Sequence, residues 1–144
     1  MPKSTSTCNS IVNLMYRATA WANVADNAAS SPLTNTYVAL HTAALTAGTN
    51  SQAENETSYT NYARQAVARS TGWAAASGGA TSNASTISFP QCGASGATLT
   101  YVSVGTTISG ATPVWHYGAL NSSLAVSSGI TPQFAASALT ITEA

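Results

Sequence analysis

The chain has 144 residues, the length of one ordinary domain, and its four basic and four acidic residues cancel to a formal net charge of zero. Only 6% of the residues are charged, against about 25% in an average soluble domain. Four basic side chains cannot neutralise a run of phosphates, and no apolar stretch reaches the roughly 18 residues of a membrane span, so neither nucleic acid nor a membrane is an expected partner.

The composition also bears on the surface and the core. Solubility has to rest on 41 serines and threonines and 14 asparagines and glutamines, while 28 of the apolar residues are alanine. Few large apolar side chains predict a thin core, as between two packed sheets. A neutral surface with few charges favours association with partners. The alternative is a secreted β-protein that is simply rich in serine and threonine.

A helix is predicted over residues 9–27, after a flexible arm at residues 1–8. Asn9 or Ser10 is the expected N-cap, and the polar segment 27–32 is expected to end the helix. The helix either closes the open end of a β-fold or docks on a neighbouring subunit. Its apolar face has helical spacing and comprises Ile11, Leu14, Met15, Ala18, Ala22 and Ala25.

The first strand is predicted at Tyr37–Thr42, where the side chains alternate in a way that suits a half-buried strand. Further short strand segments follow, with turn signals every 8–12 residues or so. They lie at 62–69, around Trp73, at 81–89, 99–104, 114–120 and 124–126, around Phe134, and at 139–142.

This pattern predicts an antiparallel β-sandwich or jelly roll of about eight strands with one N-terminal α-helix. We expect residues 1–30 to form the arm and helix. Residues 31–144 are expected to form the β-sandwich, in one globular unit with the helix. Cys8 and Cys92 belong to no CxxC pair, so free buried thiols are expected.

The polar loop at 43–60 contains the only close pair of acidic residues, Glu54 and Glu56. No apolar residues surround them to raise a pKa, so a solvated or partner-facing loop is expected and not acid–base chemistry. His41 and His116 lie in predicted strands without the serine and acid of a triad or the ligand cluster of a zinc site. We therefore expect no enzyme, no metal and no cofactor.

Two further groups of side chains need partners. Arg64 and Arg69 fall on opposite faces of one predicted strand, so one of them points inward and requires a carboxylate or carbonyl groups. Glu54 or Glu56 is the candidate carboxylate, within the chain or across an interface. Four aromatic residues are expected mainly in the core, with a subunit contact or a sugar-stacking platform as alternatives: Trp73, Tyr101, Trp115 and Tyr117.

Several stretches, in chain order, carry a resemblance to a known family: Tyr37–Thr42, Tyr62–Val67, Ser82–Asn83 with Ile87–Pro90, Tyr117–Leu120, and Gly129–Pro132 with Phe134–Ala136 and Ala138–Thr142. With these motifs the chain resembles small tailed-bacteriophage virion proteins, often described as tail-fibre-like and in some phages found as capsid cement or decoration proteins. It departs from the family at Ala44–Leu45, where Asp-Pro is usual, and at Ser137, where glycine is common.

The resemblance implies a structural capsid cement protein that binds between capsomers and stabilises the phage head. Its implied partners are the major capsid protein and a second copy of itself, in a dimer in preference to a trimer. Its implied place is the capsid surface, after synthesis in the host bacterial cytoplasm. The alternative is a tail-fibre or tail-tip component that binds host glycans through the strand around Trp115. The candidate contact residues are Ile11, Leu14, Met15, Trp21, Glu54, Glu56, Arg64 and Arg69.

Overall fold

The computed structural model describes residues 3–25, 32–48, 51–111 and 113–143. These residues form one helix and eight strands, in the order α1 (Thr5–Arg17), β1 (Asn35–His41), β2 (Gln65–Ala68), β3 (Ala80–Ser82), β4 (Ile87–Ser88), β5 (Ala97–Gly105), β6 (Val114–Val126), β7 (Gln133–Phe134) and β8 (Thr140–Thr142).

The strands form one four-stranded sheet, in the order β2-β1-β5-β6, and two-stranded sheets of β3 with β8 and of β4 with β7. β5 pairs antiparallel with both β1 and β6, and β3 pairs antiparallel with β8. The predicted mainly antiparallel β-fold with one N-terminal helix is therefore confirmed. The jelly-roll arrangement stays a prediction. Around Trp73 the chain forms only an isolated bridge to Asn83, and the predicted segment 124–126 is the end of β6.

The chain groups into two compact units. The first comprises the described residues of Met1–Asn35, Val67–Ile87 and Phe134–Ala144, and the second those of Thr36–Ala66 and Ser88–Gln133. The predicted division of the chain at residue 30 stays a prediction.

The predicted helix boundaries are wrong. The helix starts at Thr5, inside the predicted flexible arm, and Ser4 caps it by accepting a hydrogen bond from the backbone N–H of Thr7. It ends at Arg17, because Ala18 adopts a left-handed backbone conformation. Residues 18–25 are not helical. The predicted helix end at Asp26 and Asn27 lies outside the described residues.

Arg69 supplies a physical reason for the early end of the helix. The last carbonyl groups of a helix have no partner within it. The buried guanidinium of Arg69 donates to the carbonyls of Leu14 and Met15, each at 2.6 Å, and to that of Leu33 at 2.8 Å. A cation at this end also complements the helix dipole. A residue far along the sequence therefore fixes the helix terminus.

The helix belongs to the core of the first unit. Its fully buried side chains are Val12 and Tyr16, and the Tyr16 ring lies edge-on to that of Trp73 with their centroids 4.9 Å apart. The predicted apolar face is displaced, since Ile11, Leu14 and Met15 are only half-buried. The helix therefore forms part of the core of its own unit, and its docking on a neighbouring subunit stays a prediction.

Asn83 joins two segments of the first unit, and its side chain is fully buried. Its amide nitrogen donates to the carbonyls of Ser85 and Ala135, each at 2.8 Å, and its oxygen accepts from the backbone N–H of Leu139 at 2.8 Å. Ser137 nearby has a φ of 64°. Serine therefore adopts a left-handed backbone conformation at position 137, where glycine is common in the family that the chain resembles.

β1 is buried on both faces, and not half-buried as predicted. Val38 and Leu40 lie on one face and Ala39 and His41 on the other, and all four are at most 2% exposed. Cys8 and Cys92 are free and buried, as predicted. None of the helices in the described residues is both long and apolar enough to cross a membrane.

Replacing Asn83 with alanine should lower the free energy of unfolding by about 3 kcal/mol, because two carbonyls and one N–H would lose their partner in the interior. Denaturant unfolding followed by circular dichroism measures the change. Asn121→Ala, at an exposed position of β6, is the control and should stay within about 0.5 kcal/mol of the parent chain. Equal effects of the two substitutions would contradict the role assigned to Asn83.

Candidate functional site

Segment 51–64 of the second unit pairs with the end of β1, where Glu56 forms an antiparallel bridge with His41. The backbone N–H of Thr57 donates to the carbonyl of Leu40 at 2.9 Å, and that of Thr42 donates to the carbonyl of Asn55 at 3.0 Å. Gln52 is fully buried and Thr57 is 3% exposed. The loop that was expected to be solvated or partner-facing is therefore anchored in the core by some of its side chains, while others, such as Ala53, Asn55 and Ser58, are exposed.

Arg64 and Glu56 form the central ion pair of this segment. Nε of Arg64 donates to one Glu56 carboxylate oxygen and Nη2 to the other, both at 2.7 Å. The Arg64 side chain is 1% exposed and that of Glu56 is 17% exposed. Two parallel bonds of this kind fix orientation as well as charge. The prediction that Glu54 or Glu56 pairs with an inward arginine is confirmed for Glu56 and Arg64, within the chain.

The remaining donors of Arg64 also have partners in this unit. Nη1 donates to Oε1 of Gln52 at 3.2 Å and to the carbonyl of Thr107 at 3.1 Å, and Nη2 donates to the carbonyl of Gly110 at 2.8 Å. One guanidinium therefore joins segment 51–64 to the connection between β5 and β6. This extensive pairing offsets the cost of burying the charge.

Gln52 and Tyr62 connect the ion pair to the sheet. Nε2 of Gln52 donates to the carbonyl of Tyr37 at 2.8 Å. Tyr62 accepts a hydrogen bond from the N–H of Leu40 at 3.1 Å and donates its hydroxyl to Glu56 at 2.9 Å. Burial raises the pKa of Tyr62, so the hydroxyl keeps its proton. A side chain at position 105 would place its Cβ 2.3 Å from Oε1 of Gln52. Glycine at this position therefore leaves room for the Gln52 side chain.

His41 forms a second buried polar contact. Its Nδ1 lies 2.9 Å from the carbonyl oxygen of Glu54, which only accepts hydrogen bonds, so Nδ1 carries the proton. Nε2 then accepts from the hydroxyl of Ser103 at 2.8 Å. Burial lowers the pKa of His41, and the bond to the Glu54 carbonyl together with the nearby carboxylates opposes this shift. The imidazole is therefore held neutral.

A hydroxyl paired with a neutral imidazole is the arrangement of a nucleophile and its base. Here His41 is fully buried and Ser103 is 1% exposed. In this conformation no substrate carbonyl reaches the Ser103 oxygen, and the pair acts as a structural bond between β1 and β5. Within the part of the chain that the structure describes, no three metal-binding side chains lie together.

The candidate contact residues differ in their availability to a partner. Ile11, Leu14 and Met15 are half-buried on the helix, and Trp21 lies beyond it in a turn closed by its N–H to the carbonyl of Ala25 at 2.7 Å. Glu54 is half-buried and accepts from the backbone N–H and hydroxyl of Thr46.

Arg64 and Arg69 are only 3% and 7% exposed. Arg64, Arg69 and Glu56 are all hydrogen-bonded to groups of their own chain. A partner protein could bind these three side chains only by breaking those intramolecular bonds. Their assignment as contact residues stays a prediction.

Intramolecular bonds hold all seven charged residues in the described part of the chain. Lys3 pairs with Glu143 at 2.8 Å, and Arg17 donates to the carbonyl of Trp73 at 3.0 Å. The other four, Glu54, Glu56, Arg64 and Arg69, have the partners given above. The exterior is therefore presented largely by hydroxyl, amide and small apolar groups.

Trp73 is fully buried, as expected, but the other three aromatic residues are not in the core. Tyr101 and Trp115 are half-buried and Tyr117 is 40% exposed. Tyr117 pairs with Ser103, and Ala119 pairs with Tyr101. Since cross-strand partners and alternate residues share a face, Tyr101 and Tyr117 lie on one face of β5 and β6, while Trp115 lies at a register shift between the two strands.

Sequence reasoning missed Gln52, Tyr62 and Ser103, which complete the two buried networks. Uncharged polar residues are abundant in this chain, so nothing in their local pattern distinguishes the buried ones. The glycine at position 105 was the one available signal, because a strand glycine indicates close approach by another group.

The family described as podophage GP4 fiber I protein gp80 matches residues 2–142. Comparison with curated proteins gives no match. The family match spans almost the whole chain and agrees with the resemblance to small tailed-phage virion proteins.

Replacing Arg64 with methionine should lower the free energy of unfolding by about 3–5 kcal/mol, because Glu56 would remain in a largely buried position without its cation. Urea unfolding at neutral pH measures the loss. Lys3→Met breaks the more exposed pair with Glu143 and should have little effect. A similar small effect of both substitutions would refute the central role of Arg64.

The neutral state of His41 predicts a pH dependence of stability. Its folded pKa lies below the ordinary value of 6.5, so on acidification the unfolded chain takes up this proton first. The contribution of neutral His41 to the free energy of unfolding is therefore complete above the ordinary pKa of histidine. It is lost as the pH falls from there through the folded pKa.

The free energy of unfolding should therefore be lower at about pH 5.5 than at about pH 7.5. The decrease should be smaller for His41→Gln than for His116→Gln, the matched variant at the other histidine. An equal decrease in both variants would show that His41 does not cause it.

Proposed function

The chain belongs to the podophage GP4 fiber I protein gp80 family, and on that premise we propose that it is a non-enzymatic structural component of the tail fibre of a phage particle. The family places it among the structural proteins of bacteriophage virions. The description of the family supports the fibre as its position.

The observation that carries a structural role is the internal pairing of every described charged residue. A protein that acts through electrostatic steering presents its charges to solvent. This chain instead pairs each of them with a group of its own, and its few charges leave a largely neutral surface, which favours stable contact with other subunits. The polar networks around Arg64 and His41 are likewise closed, so they stabilise the fold and present no reactive group.

The aromatic side chains of β6 give the fibre proposal a second support. Tyr117 is 40% exposed and Trp115 is half-buried, and aromatic side chains with one apolar face and one polar atom suit contacts with partners. On a fibre, this surface would meet either a neighbouring subunit or a host-surface glycan.

Capsid cement is the second candidate. It is favoured by the small size of the chain and its two compact units, since a cement protein fills a defined gap between capsomers. Its partner would be the major capsid protein, and it would stabilise the head by binding the assembled lattice and not the free subunits.

Immunogold labelling of intact phage particles, with an antibody against this chain, tests the proposal. Gold on the tail supports the fibre, and gold on the head overturns the fibre in favour of cement. If neither labelling nor mass spectrometry detects the protein in purified particles, the structural role itself is overturned. Particles of a phage in which the gene is deleted provide the control for the antibody.

A further inference from the structure

The turn between β5 and β6 is the feature that the proposed function leaves unexplained. Arg64 binds both sides of this turn, because its Nη1 donates to the carbonyl of Thr107 at 3.1 Å and its Nη2 to that of Gly110 at 2.8 Å. The hydroxyl of Thr107 closes the turn further by donating to the carbonyl of Ser109 at 2.8 Å. Since the Arg64 side chain is 1% exposed, the turn is fixed to the interior of its own unit.

Ile108 lies at the tip of this turn, and its side chain is 60% exposed. A single exposed apolar residue is ordinary on a protein surface, but turn tips are usually occupied by glycine, proline, asparagine, aspartate or serine. The chain has only five isoleucines, and this one lies outside the core on a turn fixed by a buried cation. Local departures of this kind are expected at functional positions.

We propose that the Ile108 side chain inserts into an uncharged apolar pocket of a different protein of the phage particle. This inference rests on the proposed structural role of the chain and adds an attachment residue to it. A β-branched side chain on a fixed turn has little conformational freedom left to lose. Binding therefore costs less entropy than it would with the same residue on a flexible loop.

The chemistry around Ile108 selects this kind of partner. Between Arg69 and Glu143 the sequence has no Asp, Glu, Lys or Arg, so the turn and both of its strands offer no counter-ion. A charged group of a partner would lose its hydration there without compensation. Thr107 and Ser109 place hydroxyl groups beside the apolar side chain, and an apolar centre with a polar rim is the usual composition of a protein–protein contact.

The convex shape of a turn tip argues against the same turn of a second copy as the partner. Two tips that meet on a two-fold axis present one convex surface to another. Such a contact buries far less than the roughly 1,200 Å² of a stable protein–protein interface. A concave site is required instead, and the proposal assigns it to a protein other than this chain.

Complementation of a phage in which the gene is deleted tests the proposal. Particles made with the parent chain, Ile108→Ser or Ile130→Ser are purified, and quantitative mass spectrometry gives the amount of the chain relative to the major capsid protein. Ile108→Ser should lower this amount by about tenfold or more, because the contact loses one buried isoleucine. Ile130→Ser changes another exposed isoleucine of the same unit and should leave the amount unchanged. Circular dichroism confirms that each variant is folded.

The failure of this proposal and that of the structural role give different results. Absence of the parent chain from the particles would overturn the structural role, and the proposal with it. Equal incorporation of the parent chain and Ile108→Ser would overturn the role of Ile108 alone. Sedimentation equilibrium of the two purified proteins should show the same oligomeric state. Association that is lost in Ile108→Ser would place the pocket on a second copy and would also overturn the proposal.

Disturbing the turn provides a second test that leaves Ile108 in place. Gly110 has a φ of 83°, and a Cβ there would meet no heavy atom within 4 Å apart from its chain neighbours. Gly110→Ala therefore acts on the backbone conformation, and incorporation should fall as in Ile108→Ser. Gly129→Ala is the control, because Gly129 has a φ of 88° and the same free space in another turn of this unit. Equal incorporation of the two alanine variants would contradict the role of the turn.

Discussion

The buried pair of Arg64 and Glu56 is the interaction on which the second unit depends. The guanidinium binds the Glu56 carboxylate at 2.7 Å and also holds Gln52 and the carbonyls of Thr107 and Gly110. A segment without regular secondary structure is thereby fixed beside the end of β1, next to His41. Such a pair adds little net stability over apolar packing, but the loss of one partner is costly because the other stays buried. We therefore interpret the pair as specifying one arrangement of the loop.

The same use of charge extends through the chain. Arg69 completes the end of the helix by binding the carbonyls of Leu14 and Met15, and Lys3 pairs with Glu143. With few charges in the chain and all of the described ones bound internally, the exterior is neutral. That surface suits a protein of a phage particle, where contact with other subunits replaces contact with solvent.

The fold class could be predicted from the sequence because strand alternation and turn residues are local signals. Tyr37–Thr42 was placed nearly correctly for that reason. The helix was misplaced because its end depends on Arg69, more than fifty positions along the chain, and helical spacing extends past the true end. In the site, the need of an inward arginine for a carboxylate limited its partner to Glu54 or Glu56, and the structure shows that Glu56 pairs with Arg64. The roles of Gln52, Tyr62 and Ser103 depend on long-range contacts, and uncharged polar residues in a chain so rich in them carry no local signal of burial.

Native-state hydrogen exchange tests most directly the claim that segment 51–64 belongs to the core. The N–H groups of Thr42 and Thr57 bind carbonyls across this contact, at 3.0 and 2.9 Å, and that of Leu40 binds the Tyr62 hydroxyl. If the ion pair fixes the segment, these three amides should be protected as strongly as that of Val102 in β5. Exchange at the rate of an exposed loop, with Val102 still protected, would contradict the account.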